Sequence, residues 1–245
     1  MTASPTRTIA WRALPLVDLT DLSDSCTPDA IDGLCEDAQT RHGPVAAVCI
    51  WPRFVAQARK CLAGTGIRVA TVVNFPDGDA DTASIIAETK AALEAGADEI
   101  DLVIAYRALM AGDEALVSSQ ISTVKALINS RVHLKTILET GELKDPALIE
   151  KASRLAIAAG ADFLKTSTGK VPVNATPEAA EIMLTAIRDS GRPVGFKAAG
   201  GIRTVEEAGA YLALADRLMG SDWVNPETFR FGASSLLRPL LRAID

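Results

Sequence analysis

The chain has 245 residues, with 25 Lys and Arg against 31 Asp and Glu and a formal net charge of −6. Hydrophobic residues make up 48% and charged residues 23%, which excludes a disordered or collagen-like chain and suffices for one large core. The acidic balance, with no run of Lys or Arg, argues against a general binder of nucleic acid or membrane surfaces, so an anionic ligand needs a local basic pocket.

From the N-terminus, residues 1–20 contain no uninterrupted apolar stretch of the kind a signal peptide needs, and no later run approaches the ~18 residues of a membrane span. A cytoplasmic protein without a membrane partner is expected. Strands are predicted at residues 14–19, 45–50, 68–73, 99–104, 132–138, 163–165, 193–198 and 229–231, where short apolar runs rich in β-branched residues occur. Helices are predicted between them. Thr27-Pro28, Asp81, Asp145-Pro146, Thr176-Pro177 and Thr204 are N-cap signals, and Gly96, Gly160 and Gly191 are C-terminal stops. Apolar strands separated by helices are the pattern of buried parallel strands. Eight such units in this length predict an α/β protein, a single (β/α)8 TIM barrel over residues 1–245. No G-x-G-x-x-G follows the first strand, so the dinucleotide fold lacks its fingerprint.

Four cysteines, Cys26, Cys35, Cys49 and Cys61, form no C-x-x-C pair and are expected as reduced thiols. His42 and His133 are the only histidines. That scarcity argues against catalytic zinc and narrows any Ser-His-Asp chemistry to one of these two residues.

Ala95-Gly96-Ala97-Asp98 before the fourth strand is echoed by Ala159-Gly160-Ala161-Asp162 before the sixth. Three residues past each Asp stands a charge, Asp101 and Lys165, so both are expected to point into the barrel at a similar level. Asp101, Lys135, Lys165 and Lys197 lie near the C-terminal ends of strands four to seven, the end where barrels place their chemistry. One alternative is that some face outward between helices; another is that they form a buried ion pair. Clustered lysines have a chemical use. A free lysine is almost fully protonated at pH 7, whereas a neighbouring ammonium and partial desolvation favour the neutral amine that attacks a carbonyl.

Gly200-Gly201 after the seventh strand and Gly232-Ala233-Ser234-Ser235 after the eighth sit where barrels commonly bind phosphate. Thr168-Gly169-Lys170 imitates the tail of a P-loop, but Leu164 stands where the earlier Gly is required; a loop facing an anion is the better reading, with a solvated loop lysine as the alternative. Glu139 and Glu142 read as helix-start or surface carboxylates.

Several blocks carry a resemblance to a known family. They include Asp18-Leu19-Thr20, Cys49-Ile50-Trp51-Pro52-Arg53-Phe54, Val72-Val73-Asn74-Phe75-Pro76 and Gly96-Ala97-Asp98-Glu99-Ile100-Asp101. Further along come Tyr106-Arg107-Ala108-Leu109, Glu139-Thr140-Gly141-Glu142-Leu143 and Phe163-Leu164-Lys165-Thr166-Ser167-Thr168-Gly169-Lys170. Val194-Gly195-Phe196-Lys197-Ala198-Ala199-Gly200-Gly201-Ile202-Arg203 and Arg230-Phe231-Gly232-Ala233-Ser234-Ser235 complete the series, in order and over nearly the whole chain. Together they resemble the deoxyribose-phosphate aldolases.

The resemblance implies a class I aldolase that uses no metal or cofactor. It would cleave 2-deoxy-D-ribose 5-phosphate reversibly to acetaldehyde and D-glyceraldehyde 3-phosphate. Matched position by position, Lys165 is the Schiff-base lysine, and Asp101 and Lys197 are its proton-transfer and pKa-lowering partners. Gly169, Lys170, Gly200, Gly201, Ser234 and Ser235 match phosphate contacts, and Asp18, Thr20, Cys49, Lys135 and Thr168 match residues lining the pocket. The implied partners are small phosphosugars and aldehydes, with a homo-oligomer, a dimer first, as the assembly. Two departures are visible: Ala198 stands where some members have Pro, and the sequence ends at Asp245 without the polar tail some members carry. An altered rate is expected from these rather than lost chemistry. The competing readings are another phosphosugar aldolase or isomerase, and a phosphosugar-binding barrel without catalysis.

Overall fold

A computed structural model describes residues 4–245. Eight parallel strands close on themselves: β1 (Val17–Asp21), β2 (Ala47–Ile50), β3 (Arg68–Val73), β4 (Glu99–Val103), β5 (His133–Ile137), β6 (Phe163–Lys165), β7 (Gly195–Ala199) and β8 (Phe229–Ala233). Each pairs with its neighbours in sequence, and β8 pairs with β1, Phe231 beside Val17 and Gly232 beside Asp18. Closure removes the unpaired strand edges an open sheet would expose. The predicted (β/α)8 barrel is the observed fold.

The helices begin where short polar side chains can satisfy free N–H groups. Thr27 accepts from Ala30, Asp81 from Ser84, Asp145 from Ala147, Thr176 from Ala179 and Thr204 from Glu207. These residues cap α2 (Pro28–Asp37), α4 (Thr82–Glu94), α8 (Pro146–Ala158), α9 (Pro177–Ser190) and α10 (Val205–Met219). At α10 the Glu207 carboxylate also accepts from the Thr204 N–H at 3.0 Å, completing a reciprocal capping box. Ile31, Ile85, Ala152, Met183 and Ala208 turn the apolar faces of these helices onto the outer face of the barrel, and none is exposed.

The repeated Ala-Gly-Ala-Asp has one structural role at both sites. Gly96 and Gly160 take φ of 93° and 99° just past a helix end, where a side chain would be strained. Asp98 then accepts the Val69 N–H at 2.9 Å and pairs with Arg59 at 2.6 Å; Asp162 accepts the Leu134 N–H at 2.8 Å and pairs with Lys125 at 2.6 Å. Each module ties the start of one strand to its neighbour and sets the inward phase of the residues that follow.

Some boundaries differ from the sequence reading. Residues 14–16 form a 3-10 turn containing Pro15, so β1 starts at Val17. An additional helix, α1 (Pro5–Ala13), precedes it and is capped by Ser4. The β2, β5 and β7 strands are trimmed by one or two residues at the start, while β8 continues to Ala233. Two helices, α5 (Tyr106–Met110) and α6 (Glu114–Leu127), follow β4, and a four-residue α7 (Thr140–Leu143) precedes α8. A short helix α3 (Val55–Cys61) follows β2, and α11 (Leu237–Ile244) follows β8.

Candidate active site

On parallel strands, residues in register present side chains to the same face. Asp101 is in register with Lys135, Lys165 with Lys197, and Lys197 with Arg230. All of them point inward and meet. Lys165 Nζ and Lys197 Nζ each lie 2.8 Å from the same oxygen, Asp101 Oδ2, while Lys135 Nζ is 3.0 Å from Oδ1. Asp18 Oδ2 is 2.5 Å from Lys197 Nζ, and its Oδ1 accepts from Arg230 Nη1 at 2.6 Å. Arg230 Nη2 donates to Glu99 at 2.9 Å, and Glu99 also pairs closely with Lys135. Both alternatives left open by the sequence are thus decided. The charges face inward, and they form an extended ionic cluster rather than a single pair.

None of these seven residues is more than 3% exposed, so each charge must be balanced locally. Three carboxylates face four cations, leaving one positive charge when all are ionised. Burial pushes the Asp101 carboxyl up, but Lys135, Lys165 and Lys197 outweigh it and hold the group well below the usual carboxylate range. Burial likewise opposes the charge on Lys197, but Asp101 and Asp18 hold its ammonium well above the ordinary lysine value. Asp18 and Glu99 are held low by the same balance of burial against neighbouring cations. Lys197 is therefore held as a cation beside Lys165, and Asp101 rests as a carboxylate.

Above the cluster opens a cavity of about 350 Å³ at the C-terminal end of the barrel, the size of a small-metabolite site. Of the seven charged residues, Lys165 alone lines it. Thr20, Thr168, Gly169, Lys170, Gly200, Gly201, Ser234 and Ser235 line it as well, as the sequence suggested. Gly200 and Gly201 take φ of 87° and 88°, and a Cβ on Gly200 would come within 2.7 Å of Asn174. Lys170 is anchored loosely, its Nζ 3.6 Å from exposed Asp24 and 5.8 Å from the centre of the Trp51 ring. Gly232 serves the cluster: a Cβ there would lie 2.9 Å from Lys197 Cε.

Three expected lining residues are placed differently. Asp18, Cys49 and Lys135 are fully buried beneath the cavity. Asp18 and Lys135 are drawn down by their ionic partners, and the Cys49 thiol, pushed up by burial, lies 3.8 Å from Asp101 Oδ2. Conversely, Arg203, Asn174, Asp21 and Ser23 line the cavity without having been singled out. Glu99 and Arg230 were also missed, although a period of two places Glu99 on the face of Asp101 and Arg230 interrupts an apolar strand.

Glu139 does stand at a helix start, the N-cap position of α7, but it is not a surface carboxylate. It is fully buried, and its backbone is left-handed, φ 56° and ψ 58°, which costs about 1–3 kcal/mol for a residue of this kind. Thr168 donates its hydroxyl to Glu139 Oε2 at 2.5 Å and its N–H to the two carboxylate oxygens at 3.3 and 3.4 Å. Burial pushes the Glu139 carboxyl up, more than the Thr168 hydrogen bonds pull it down. Glu142 is half-buried, its N–H donating to the Glu139 carbonyl at 2.9 Å.

Residues 15–238 match the model of the DeoC/LacD family aldolases. The deoxyribose-phosphate aldolase of Agrobacterium fabrum (strain C58 / ATCC 33970) is 59% identical over 239 residues, covering 97% of this chain and 92% of that protein. Among solved structures, a Toxoplasma gondii ME49 protein proposed to be a deoxyribose-phosphate aldolase superposes with a TM-score of 0.90 at 26% identity, covering 97% of this chain and 94% of that one. A Coccidioides immitis protein proposed to have the same activity gives 0.82 at 32% identity, over 99% and 88%. A buried lysine opening into a cavity, a lysine held cationic beside it and a family match over nearly the whole barrel lead to one conclusion: the chain belongs to the DeoC/LacD family of aldolases.

Proposed function

We propose that this protein is a deoxyribose-phosphate aldolase that cleaves 2-deoxy-D-ribose 5-phosphate reversibly to acetaldehyde and D-glyceraldehyde 3-phosphate through a Schiff base on Lys165. The observation that carries the reading is the pairing of Lys165 and Lys197 on one oxygen of Asp101, with Lys165 the only member of the cluster lining the cavity. A base-catalysed isomerase has no use for a lysine held cationic beside a second lysine, and the 59% identity to an aldolase over 97% of the chain favours turnover over mere binding.

In this mechanism neutral Lys165 adds to C1 of the open-chain sugar, and the carbinolamine loses water to give an iminium. The 3-hydroxyl gives up its proton, and the C2–C3 bonding pair moves into the iminium. D-Glyceraldehyde 3-phosphate leaves and an enamine remains. Protonation of the enamine at C2 and hydrolysis release acetaldehyde and restore the lysine. Asp101 relays protons through a water, and the Lys197 ammonium disfavours a second positive charge on Lys165. Lys170, Gly169, Gly200, Gly201, Ser234 and Ser235 hold the phosphate, which fixes C1 near Lys165, an orientation effect worth several kcal/mol.

Borohydride trapping with acetaldehyde or the sugar phosphate, followed by peptide mapping, tests this. A reduced adduct on the Lys165 peptide is expected, and Lys165→Ala should lose both adduct and activity. An adduct on Lys197 would exchange the two roles, and full activity in Lys165→Ala would refute the assignment. The same reading takes residues 1–245 as one catalytic domain acting in the cytoplasm as a homodimer, which light scattering of the purified protein checks.

A further inference from the structure

Glu139 sits at the end of β5 in a backbone conformation that residues other than Gly, Asn and Asp seldom adopt. Its carboxylate is buried, and its hydrogen bonds all come from one residue, Thr168, through both the hydroxyl and the N–H. The chain of contacts continues, because the Thr168 hydroxyl accepts the Lys170 N–H at 3.0 Å. Between these two residues Gly169 turns through a φ of 86°. Thr168, Gly169 and Lys170 line the cavity together with the Gly200-Gly201 and Ser234-Ser235 loops. A strained, buried acceptor thus fixes Thr168 at two points, and Thr168 fixes the backbone of Lys170.

We infer that Glu139 is a positioning residue for anion binding: through Thr168 it holds residues 168–170 in the shape that receives the substrate phosphate. The inference rests on the phosphosugar reading above. A carboxylate suits this task because it only accepts hydrogen bonds, and Thr168 presents two donors. Glutamine retains one acceptor oxygen but turns an amide NH2 toward one of those donors. Charge alone predicts the opposite effect, since a nearby negative group repels a phosphate. The sign of the change on removing Glu139 therefore separates positioning from simple electrostatics.

The test compares the wild type with Glu139→Ala, Glu139→Gln, Thr168→Ala and the Glu139→Ala/Thr168→Ala double variant. Two readouts are used: calorimetric titration with inorganic phosphate, and cleavage kinetics on 2-deoxyribose 5-phosphate and unphosphorylated 2-deoxyribose. In Glu139→Ala, phosphate should bind about tenfold more weakly, a change of ~1.4 kcal/mol. KM for the phosphorylated sugar should rise by a similar factor while kcat changes less than about twofold. The loss on the unphosphorylated sugar should be several-fold smaller. Glu139→Gln should recover about half of the effect on a logarithmic scale. In the Thr168→Ala background the Glu139 effect should shrink, as expected for two residues acting in series.

Unchanged or tighter phosphate binding in Glu139→Ala, equal losses on both sugars, or full additivity with Thr168→Ala would each overturn the role. Should Glu139→Ala not fold, Glu139→Gln decides by the same criteria, with about threefold weaker phosphate binding expected. The phosphate titration needs no turnover. A failed aldolase assignment would show instead as a wild type that traps no aldehyde on Lys165.

Discussion

Replacing Arg230 by Met should destabilise the barrel and change how its stability depends on pH. The guanidinium is 1% exposed and holds two buried carboxylates, Asp18 at 2.6 Å and Glu99 at 2.9 Å. Methionine fills much of the volume but leaves both carboxylates short of a partner, a loss expected to cost about 3–5 kcal/mol. For a chain of this size that lowers Tm by roughly 6–20 °C. The charge balance changes as well. Without Arg230 three carboxylates face three cations, and Asp18 and Glu99 each lose one of the charges that hold them low.

The pH dependence of stability in the Arg230→Met variant has a definite sign too. Asp18 and Glu99 are held below their unfolded values, so their contribution is present above about pH 4 and is lost as the solution is acidified. In the variant the depression is smaller, and so is the loss of stability on going from neutral pH to acid. Urea unfolding at pH 7.5 and at pH 3–4 reads both effects. Arg230→Lys should recover part of the stability, because it restores the charge without the two-pronged geometry. A variant within about 1 kcal/mol of wild type, with the same loss of stability in acid, would refute the charge-balance account.

Other substitutions probe single contacts. Gly232→Ala places a Cβ 2.9 Å from Lys197 Cε; it should reduce kcat well over tenfold by displacing the ammonium while leaving secondary structure intact, as kinetics and circular dichroism would show. Thr204→Ala removes the capping box of α10 and should cost about 1 kcal/mol in chemical denaturation without changing kcat/KM. His133 is held below its usual value, first by burial and then by Arg68. Protonating it opposes folding, so stability should decline as the pH falls below about 6.5. His133→Asn should lack that component of the decline in a Tm series from pH 8 to 5.

Much of this protein follows from local sequence. The helix starts at Thr27, Asp81, Asp145, Thr176 and Thr204 are legible because a cap is a bond between residues two or three apart. The eight strands are legible because strands covered on both faces are continuously apolar, and Asp101, Lys135, Lys165 and Lys197 stand out against that background. The repeated Ala-Gly-Ala-Asp even announced a shared phase for Asp101 and Lys165, since the same capping and strand-tying contacts precede both. Local signals fell short at α1, which packs against distant α10 and α11, and at the start of β1, where Pro15 belongs to a 3-10 turn.

Tertiary structure alone decided who pairs with whom. Arg230 meets Asp18 across 212 residues and Lys197 meets Asp101 across 96, because closing the barrel brings together positions that no sequence spacing relates. The same closure buried Asp18, Cys49 and Lys135 beneath the cavity, left Lys165 as the one member of the ionic cluster opening into it, and drew Glu139 inward onto Thr168. A residue's chemical type is written in the chain. Its charge state and access to a ligand depend on the desolvation and the neighbouring charges that packing supplies, and those exist only once the eight strands have closed.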